Sequence, residues 1–212
     1  MLRVISRKEA EDIVGYKFID NNYNLLWTDW EDTNYIVNLL CKKKSVLEIG
    51  TYLGHTTQNI AENIYSLGHV TTIDICQDMV TSLKYQNHEI LPREKSGSVI
   101  TAGNVTKLLI ESDDFFQPER FDPLAPSAPT FDGIFIDGDH SFDQVRKDSK
   151  NAFNHIAKEG IIVWHDVYNN DGIKCPKTLC QPYNTDVTDY LESIGNLVYK
   201  IERSWVAFYV NV

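Results

Sequence analysis

The sequence has few cysteines, few positive charges and no long apolar run. Its four cysteines form no CxxC pair and lack a matching histidine spacing, which argues against both structural zinc and a disulfide framework. Lys and Arg number 20 against 30 Asp and Glu, whereas nucleic-acid binders cluster cations against phosphates. No stretch approaches the ~20 apolar residues of a membrane span. We therefore expect a cytoplasmic protein that acts on a small molecule and has no nucleic-acid or membrane partner.

The chain from residue 45 onward alternates short apolar runs with helical patterns. Strands are predicted over five runs, at residues 46–49, 70–74, 98–101, 133–136 and 161–164. Helices are predicted over the segments between them, at residues 56–67, 77–87, 104–111 and 141–157. Such alternation is typical of a parallel sheet with right-handed crossovers and helices on both faces. The expected fold class is α/β, with a Rossmann-like, doubly wound, mostly parallel sheet.

Both ends of the chain add elements to this sheet. Ser6 and Glu9 have the spacing of a capping box, which predicts a short first helix, and a second helix is predicted from Trp30 to Lys43. The runs at 197–202 and 205–210 leave no room for a helix between them, so they predict an antiparallel hairpin. We expect a seven-stranded sheet with this hairpin at its C-terminal end and extra helices at the N-terminus.

A glycine turn follows the first of these strands, in Glu48-Ile49-Gly50-Thr51-Tyr52-Leu53-Gly54. Gly50 can adopt backbone angles closed to other residues, and Gly54 lets the turn approach a ligand or its own helix closely. The next strand ends in Asp74, whose carboxylate suits the two hydroxyls of a ribose, with a helix N-cap as the alternative. Together these features predict a nucleotide-binding turn.

This turn resembles the first motif of the class I S-adenosylmethionine-dependent methyltransferases, and it lacks the tighter glycine triplet of the dinucleotide fingerprint. The closing antiparallel hairpin is also similar to the sheet of that family. The resemblance implies that S-adenosylmethionine is bound by Glu48, Gly50, Thr51 and Gly54, with the turn under its methionine part. It implies in addition that Asp74 holds both ribose hydroxyls and that Asp137 also contacts the cofactor.

The resemblance covers about residues 45–210 and divides the chain into an N-terminal helical cap, residues 1–44, and a methyltransferase domain, residues 45–212. After the third strand the family places an acid or similar residue near the adenine amine. Asn104 matches that position, and an N-cap role for Asn104 is the equal alternative.

Two later strands end in acids and imidazoles. Asp137-Gly138-Asp139-His140 follows the fourth strand, and His165-Asp166 follows the fifth. Because the carboxyl ends of parallel strands meet at one edge of a sheet, these side chains are expected to face one pocket. Carboxylates with an imidazole suit Mg²⁺ or another divalent cation.

These two stretches resemble the small-molecule O-methyltransferases that include sugar- and antibiotic-tailoring enzymes and, more distantly, the catechol and caffeoyl-coenzyme A O-methyltransferases. By position, the metal ligands of the cation-dependent relatives correspond to Asp137, His165 and Asp166, although the relatives usually carry an acid where His165 stands. His140 occupies the place of a catalytic lysine. We predict that His140 is the base for an acceptor hydroxyl and that Asp137 assists it; a helix N-terminal contact is the alternative for His140.

The sequence thus predicts an S-adenosylmethionine-dependent O-methyltransferase that acts on a small hydroxylated molecule, a sugar or natural-product intermediate. A nicotinamide-dependent reductase of the same fold and a non-catalytic binding subunit are the alternatives, and a homodimer is left open. Residues 113–130 are expected to form a surface insertion without regular structure, and residues 168–185 to shape the acceptor pocket. Trp27, Asp29 and Trp30 either cover the cofactor or pack a helix on the sheet.

Overall fold

The computed structural model describes residues 2–21, 30–52, 54–75, 84–85, 88–89, 99–117, 129–168, 185–194 and 197–212. Their strands are β1 Arg3–Ile5, β2 Ser45–Ile49, β3 His69–Asp74, β4 Lys84–Tyr85, β5 His88–Glu89, β6 Val99–Ala102, β7 Val105–Leu109, β8 Phe131–Ile136, β9 Ile156–Trp164, β10 Tyr199–Ile201 and β11 Ala207–Val210. Their helices are α1 Arg7–Val14, α2 Trp30–Leu40, α3 His55–Asn63, α4 Ser112–Phe116, α5 Phe142–His155 and α6 Asp186–Ser193.

The main sheet has the strand order β1-β10-β11-β9-β8-β2-β3-β7-β6. The five central strands β9, β8, β2, β3 and β7 are parallel, and β11 lies antiparallel to both β9 and β10. From β2 the chain moves outward to β3 and β7, and it later returns to β8 on the other side of β2. The strand order therefore reverses between β2 and β8, where such sheets bind their ligands. The doubly wound sheet and its C-terminal hairpin are confirmed.

Alternate residues of the central strands pack into two cores on opposite faces of the sheet. In β2, Val46 packs with α2 and α3 on one face, whereas Leu47 packs with α5 and α6 on the other. Side chains of a strand alternate in direction, so a strand covered on both faces is apolar at nearly every position. Within the described ranges, no helix has both the length and the apolar character needed to cross a bilayer.

The sheet has nine strands where seven were predicted, because two segments differ from the sequence prediction. Residues 3–5 form β1, which pairs parallel with β10, so the N-terminal segment is not only helical. Residues 105–109 form β7, although a helix was predicted over 104–111. Val105, Lys107 and Leu109 are buried and the two residues between them are less so. Burial therefore alternates with a period of two, as in a strand. The strand β6, over 99–102, is consequently antiparallel to β7 rather than part of the parallel set.

Several element boundaries also differ. The capping box of Ser6 and Glu9 is present, but α2 ends at Leu40 rather than Lys43 and α3 ends at Asn63 rather than Leu67. The helix predicted to reach residue 157 ends at His155, and β9, which contains Gly160, begins directly after it. Residues 112–116 form α4, so the predicted irregular insertion over 113–130 is wrong at its start. Of the helix predicted over 77–87, residues 84–85 are a strand and residues 77–83 and 86–87 lie outside the described residues.

Candidate active site at the carboxyl edge of the sheet

The glycine turn after β2 lies against the end of β8. Gly50 has φ 95° and donates its N–H to the Ile73 carbonyl oxygen at 2.9 Å. A Cβ atom added to Gly50 would lie 2.1 Å from the backbone oxygen of Asp137. Gly54, with φ 79°, precedes the first residue of α3. Gly50 is therefore required both by its backbone conformation and by the approach of the two strand ends.

Asp74 at the end of β3 closes this turn. Its Oδ2 accepts the backbone N–H of Thr51 at 2.9 Å and that of Tyr52 at 2.8 Å. The Thr51 side chain points away from the sheet edge, since its hydroxyl is buried 2.6 Å from that of Thr72. The structure thus brings the predicted ribose acid into direct contact with the predicted cofactor turn.

A cavity of about 470 Å³ opens over this edge, between the ends of β2, β3, β7 and β8 and the helix α5. Its described lining is Ile49, Gly50, Tyr52, Ile73, Asp74, Ile75, Ile110, Glu111, Ser112, Asp113, Asp137, Gly138, Asp139, Gln144, Lys147 and Asp148. Of the predicted cofactor residues, Gly50, Asp74 and Asp137 are in this lining. Thr51 and Gly54 are not in this lining, and within the turn the Gly54 N–H donates to the Thr51 carbonyl oxygen at 2.7 Å.

The described lining of the cavity is rich in acids. Six of its residues are acidic, namely Asp74, Glu111, Asp113, Asp137, Asp139 and Asp148. The described lining also contains Lys147, whose Nζ lies 3.4 Å from Asp113 Oδ2. Such a cavity suits a ligand that is positively charged or rich in hydrogen-bond donors, and it disfavours a pyrophosphate.

Glu48, predicted to bind the cofactor, is not in this lining. Its side chain is fully buried beneath α3, where Oε2 accepts the hydroxyls of Thr57 and of Thr72, the latter at 2.6 Å. Glu48 Oε1 has no hydrogen-bond partner among the described residues. Burial raises the pKa of Glu48 to about 8. The prediction was wrong because β2 directs residue 48 to the face covered by α3, where it ties that helix to the sheet.

This buried acid predicts a pH-dependent stability. Glu48 binds its proton more tightly in the folded chain than in the unfolded chain, so its contribution is complete below about pH 4.5 and is lost as pH rises through about 8. In Glu48→Gln the free energy of unfolding should lack this decline, which we expect to amount to a few kcal/mol at ~1.4 kcal/mol per pKa unit. Urea denaturation between pH 5 and 9 measures the difference.

The exposed Glu62 of the same helix gives a matched control, Glu62→Gln. This variant should follow the wild-type pH dependence. Parallel stability curves for wild type and Glu48→Gln would contradict the assignment of the raised pKa to Glu48.

Asn104 lies at the opposite edge of the sheet from the cavity. It precedes β7, its backbone oxygen accepts the N–H of Val70 at the start of β3, and its Nδ2 donates to the Ala61 carbonyl oxygen at 2.9 Å. The prediction that Asn104 contacts the adenine is therefore wrong. Because residues 105–109 form a parallel strand rather than a helix, the residues at the cavity edge are those after β7, beginning with Ile110.

Three side chains converge beside the cavity at the ends of β8 and β9. His140 Nε2 lies 3.1 Å from Asp166 Oδ2 and 3.5 Å from Asp137 Oδ1. One ligand atom from each of the three lies within 4.8 Å of the others. The hydrogen bond to Asp137 raises the pKa of His140 against the opposing effect of its burial. The predicted convergence of Asp137, His140 and Asp166 is thus present, and their donor set fits a hard divalent cation.

His165 lies behind this group and links it to the N-terminal helix α2. Its Nδ1 is 3.4 Å from Asp137 Oδ1, and its Nε2 is 3.3 Å from Asp32 Oδ2. Asp32 Oδ1 also accepts the backbone N–H of Trp205. Burial lowers the pKa of His165, but the charges of Asp137 and Asp166 outweigh it and hold this pKa well above 6.5.

His165 stays a predicted metal ligand, and the described residues that group as possible ligands are Asp137, His140 and Asp166. Both ring nitrogens of His165 already face carboxylates, whereas His140 completes the group with Asp137 and Asp166. Asp166 is fixed further by the Tyr168 hydroxyl, which donates to its Oδ1 at 2.9 Å. The contribution of Asp32 was missed, because nothing in the sequence marks a contact across 133 residues.

A second polar network, also missed, lies at the far end of the cavity. Asp148 of α5 is 1 % exposed, and its Oδ1 accepts hydrogen bonds from the Ser112 hydroxyl and from Gln144 Nε2. Ser141 and Gln144 have the sequence spacing of a capping box, but the Ser141 side chain makes no capping bond. The Ser141 N–H instead donates to Asp139 Oδ1 at 2.9 Å.

Two groups of predicted residues lie outside the described residues. Trp27 and Asp29 fall in 22–29, and nearly all of the predicted acceptor loop falls in 169–184. Their predicted roles are untested.

Comparison with known proteins gives a family and a fold. Residues 47–167, more than half of the chain, match the family model described as a methyltransferase domain. None of the curated protein sequences matches this chain.

Two of the matching solved structures are O-methyltransferases. One, from Bacillus cereus in complex with SAH (S-adenosylhomocysteine), is 15 % identical, with a TM-score of 0.54 over 96 % of this chain and 88 % of that one. The other, TomG from Streptomyces achromogenes, involved in tomaymycin synthesis and in complex with SAM (S-adenosylmethionine), is 14 % identical, with a TM-score of 0.56 over 96 % and 87 %. At these identities the likeness establishes the fold.

Proposed function

We propose that this chain, which belongs to the methyltransferase-domain family, transfers a methyl group from S-adenosylmethionine to a hydroxyl group of a small acceptor. The observation that carries the proposal is the cavity at the point where the strand order reverses, with Gly50 at its floor and Asp74 beside it. The solved relatives bound to SAH and SAM support the choice of donor.

The charge of the cavity supports a sulfonium donor over a dinucleotide. The pyrophosphate of a nicotinamide cofactor would lie among six acids, whereas S-adenosylmethionine carries a sulfonium, an amine and ribose hydroxyls. In this proposal Asp74 accepts from the ribose hydroxyls, and Gly50 allows the methionine part to lie close to the backbone.

His140 supports the proton transfer that the reaction needs. S-adenosylmethionine, when bound, supplies a methyl group on a sulfonium sulfur and leaves as S-adenosylhomocysteine. His140 Nε2 takes the proton of the acceptor hydroxyl, so that the oxygen forms its new bond to the methyl carbon as the carbon–sulfur bond breaks. Asp137 and Asp166 stabilise the resulting imidazolium, since their oxygens lie within 3.5 Å of Nε2.

The same side chains fit a divalent cation, and we include Mg²⁺ or Mn²⁺ in the proposal. Asp137 and Asp166 would hold the ion, with His140 beside it. A bound cation would supply positive charge that lowers the pKa of an acceptor hydroxyl. The buried imidazole of His165 keeps the Asp137 carboxylate oriented toward this position.

The acceptor is proposed to be a sugar or natural-product intermediate that enters beside His140 and Tyr168. The N-terminal segment, residues 1–44, is proposed to cap this side of the domain, since α2 reaches the site through Asp32. The reaction is proposed to take place in the cytoplasm, as the cysteine pattern of the sequence indicates.

The test of this function is methyl transfer from S-[methyl-³H]adenosylmethionine to a panel of hydroxylated sugars, catechols and natural-product intermediates, with and without Mg²⁺. We expect label in at least one extracted acceptor. Binding of S-adenosylhomocysteine without transfer to any acceptor would instead support a non-catalytic binding subunit. Binding of NADH without S-adenosylhomocysteine would support the reductase.

Removal of the Asp74 charge should weaken donor binding. Asp74→Asn keeps an oxygen that accepts the Thr51 and Tyr52 N–H groups, but it removes the negative charge that faces the ribose hydroxyls. We expect the affinity for S-adenosylhomocysteine to fall by about 10- to 100-fold. Isothermal titration with S-adenosylhomocysteine measures it. Asp12→Asn, on the exposed face of α1, is the control and should bind as wild type does. Equal affinity in Asp74→Asn would exclude the ribose contact.

A further inference from the structure

The far end of the cavity contains a buried acid that the proposed reaction does not use. Asp148 is 1 % exposed, yet its side chain lines the cavity. Its Oδ1 accepts both the Ser112 hydroxyl and, at 3.0 Å, the Gln144 amide. The Gln144 amide also lies 3.1 Å from the Ser112 hydroxyl, so the three side chains fix one another. A buried carboxylate is costly unless its oxygens are paired, which indicates a further donor for Oδ2.

We propose that Asp148, fixed by Ser112 and Gln144, accepts a hydrogen bond from the exocyclic amine of the donor's adenine and thereby selects adenosyl over inosyl donors. This inference rests on the proposed use of S-adenosylmethionine and names the residue that would read its base.

The order of the strands places a base at this end of the cavity. Asp137, Gly50, Asp74 and Ile110 lie at the carboxyl ends of the adjacent strands β8, β2, β3 and β7, which are spaced about 4.8 Å apart. With the methionine part at Gly50 and the ribose at Asp74, the next position along the edge is that of the base. Three apolar residues line this end of the cavity and suit the faces of a purine: Ile73, Ile75 and Ile110.

The polar groups here match an amine better than a carbonyl. A carboxylate is an acceptor only, and both described donors to Asp148 bind its Oδ1. An adenine amine would donate to Oδ2, whereas the carbonyl oxygen of hypoxanthine would face another acceptor and be repelled. Burial raises the pKa of Asp148 to about 6, so the group is mostly ionised at pH 8.

The alternative is that Asp148 only joins α5 to Ser112 at the start of α4. Asp148→Asn separates these roles, because its amide can keep one oxygen toward Ser112 while the other position becomes a donor. If Asp148 recognises the base, the variant should bind the adenosyl donor, which carries an amine, more weakly than wild type does. It should bind the inosyl donor, which carries a carbonyl, more tightly. A purely structural role should weaken both donors by the same factor.

Isothermal titration at pH 8 with S-adenosylhomocysteine and with S-inosylhomocysteine provides the test, on wild type, Asp148→Asn and the exposed control Asp143→Asn of the same helix. We expect the ratio of the two affinities to fall by at least about 10-fold in Asp148→Asn and to stay unchanged in Asp143→Asn. Should Asp148→Asn fail to fold, Ser112→Ala keeps the carboxylate but frees it, and the ratio should fall by a smaller factor.

The outcomes separate the two proposals. Binding of S-adenosylhomocysteine to the wild type with an unchanged affinity ratio in both variants would overturn the reading of adenine by Asp148 and leave the proposed donor in place. Absence of binding of either analogue to the wild type would overturn the donor proposal and this inference with it.

Discussion

Replacement of Gly50 by alanine is expected to abolish donor binding and to lower the free energy of unfolding by about 4 kcal/mol or more. The new Cβ would lie 2.1 Å from the Asp137 oxygen and 2.6 Å from its carbonyl carbon, both of which are backbone atoms. Neither atom can rotate away, and the φ of 95° adds strain for any residue with a Cβ. The turn must therefore separate from the end of β8, which moves the cavity floor away from Asp137.

Thermal unfolding and titration with S-adenosylhomocysteine measure the two parts of this effect. The melting temperature should fall by roughly 10 °C, and no binding heat should be detectable. Gly15→Ala is the matched control, since Gly15 has a similar φ of 81° but nothing within 4 Å of its added Cβ. It should cost only the backbone strain, about 1–3 kcal/mol, and bind the donor normally. Normal donor affinity in Gly50→Ala would contradict the placement of the donor at this turn.

Replacement of His140 by glutamine is expected to lower kcat by about 10²- to 10⁴-fold while the affinity for S-adenosylhomocysteine stays unchanged. His140 must be neutral to accept a proton, and its contact with Asp137 raises its pKa above 6.5. Wild-type kcat should therefore rise with pH through a value above 6.5 and then level off. In His140→Gln this rise should be absent, because the group that titrates has been removed.

The pH profile of kcat, measured with a responsive acceptor, distinguishes a base from a ligand. His69→Gln is the control, since His69 bonds Thr106 near the opposite edge of the sheet. Unchanged kcat in His140→Gln across the pH range would exclude the base. Full recovery of kcat at high Mg²⁺ concentration would also contradict the base role, because it would show that His140 serves only to bind the cation.

The parts of the site that follow strand ends could be predicted from the sequence. Gly50, Asp74, Asp137 and Asp166 each lie at or within two residues of the carboxyl end of an apolar strand. Parallel strands bring these ends to one edge whatever the details of packing. Local pattern and topology agree at these positions, so the prediction needed no knowledge of side-chain orientation.

The residues that could not be predicted depend on which face of an element they occupy. Asp143 and Asp148 are both acids of α5, and only the packed helix shows that Asp143 is exposed while Asp148 lines the cavity. Glu48 has the motif position of a cofactor ligand, but its place on β2 directs it beneath α3.

The remaining incorrect or missing predictions concern contacts between residues that are distant in the sequence. Val105-Thr106-Lys107-Leu108-Leu109 is short enough to fit either a helix or a strand, and its pairing with β3 decides for the strand. Asp32 meets His165 only because α2 packs over the end of the sheet. In both cases tertiary contacts, which the local pattern does not encode, determined the outcome.

The central claim is that the cavity at the carboxyl edge binds S-adenosylmethionine, and a crystal structure with S-adenosylhomocysteine tests it most directly. We predict density with the ribose hydroxyls on the Asp74 carboxylate, the homocysteine part over Gly50 and the adenine amine facing Asp148. Density at another place on the chain, or none at this edge at saturating ligand, would contradict the claim.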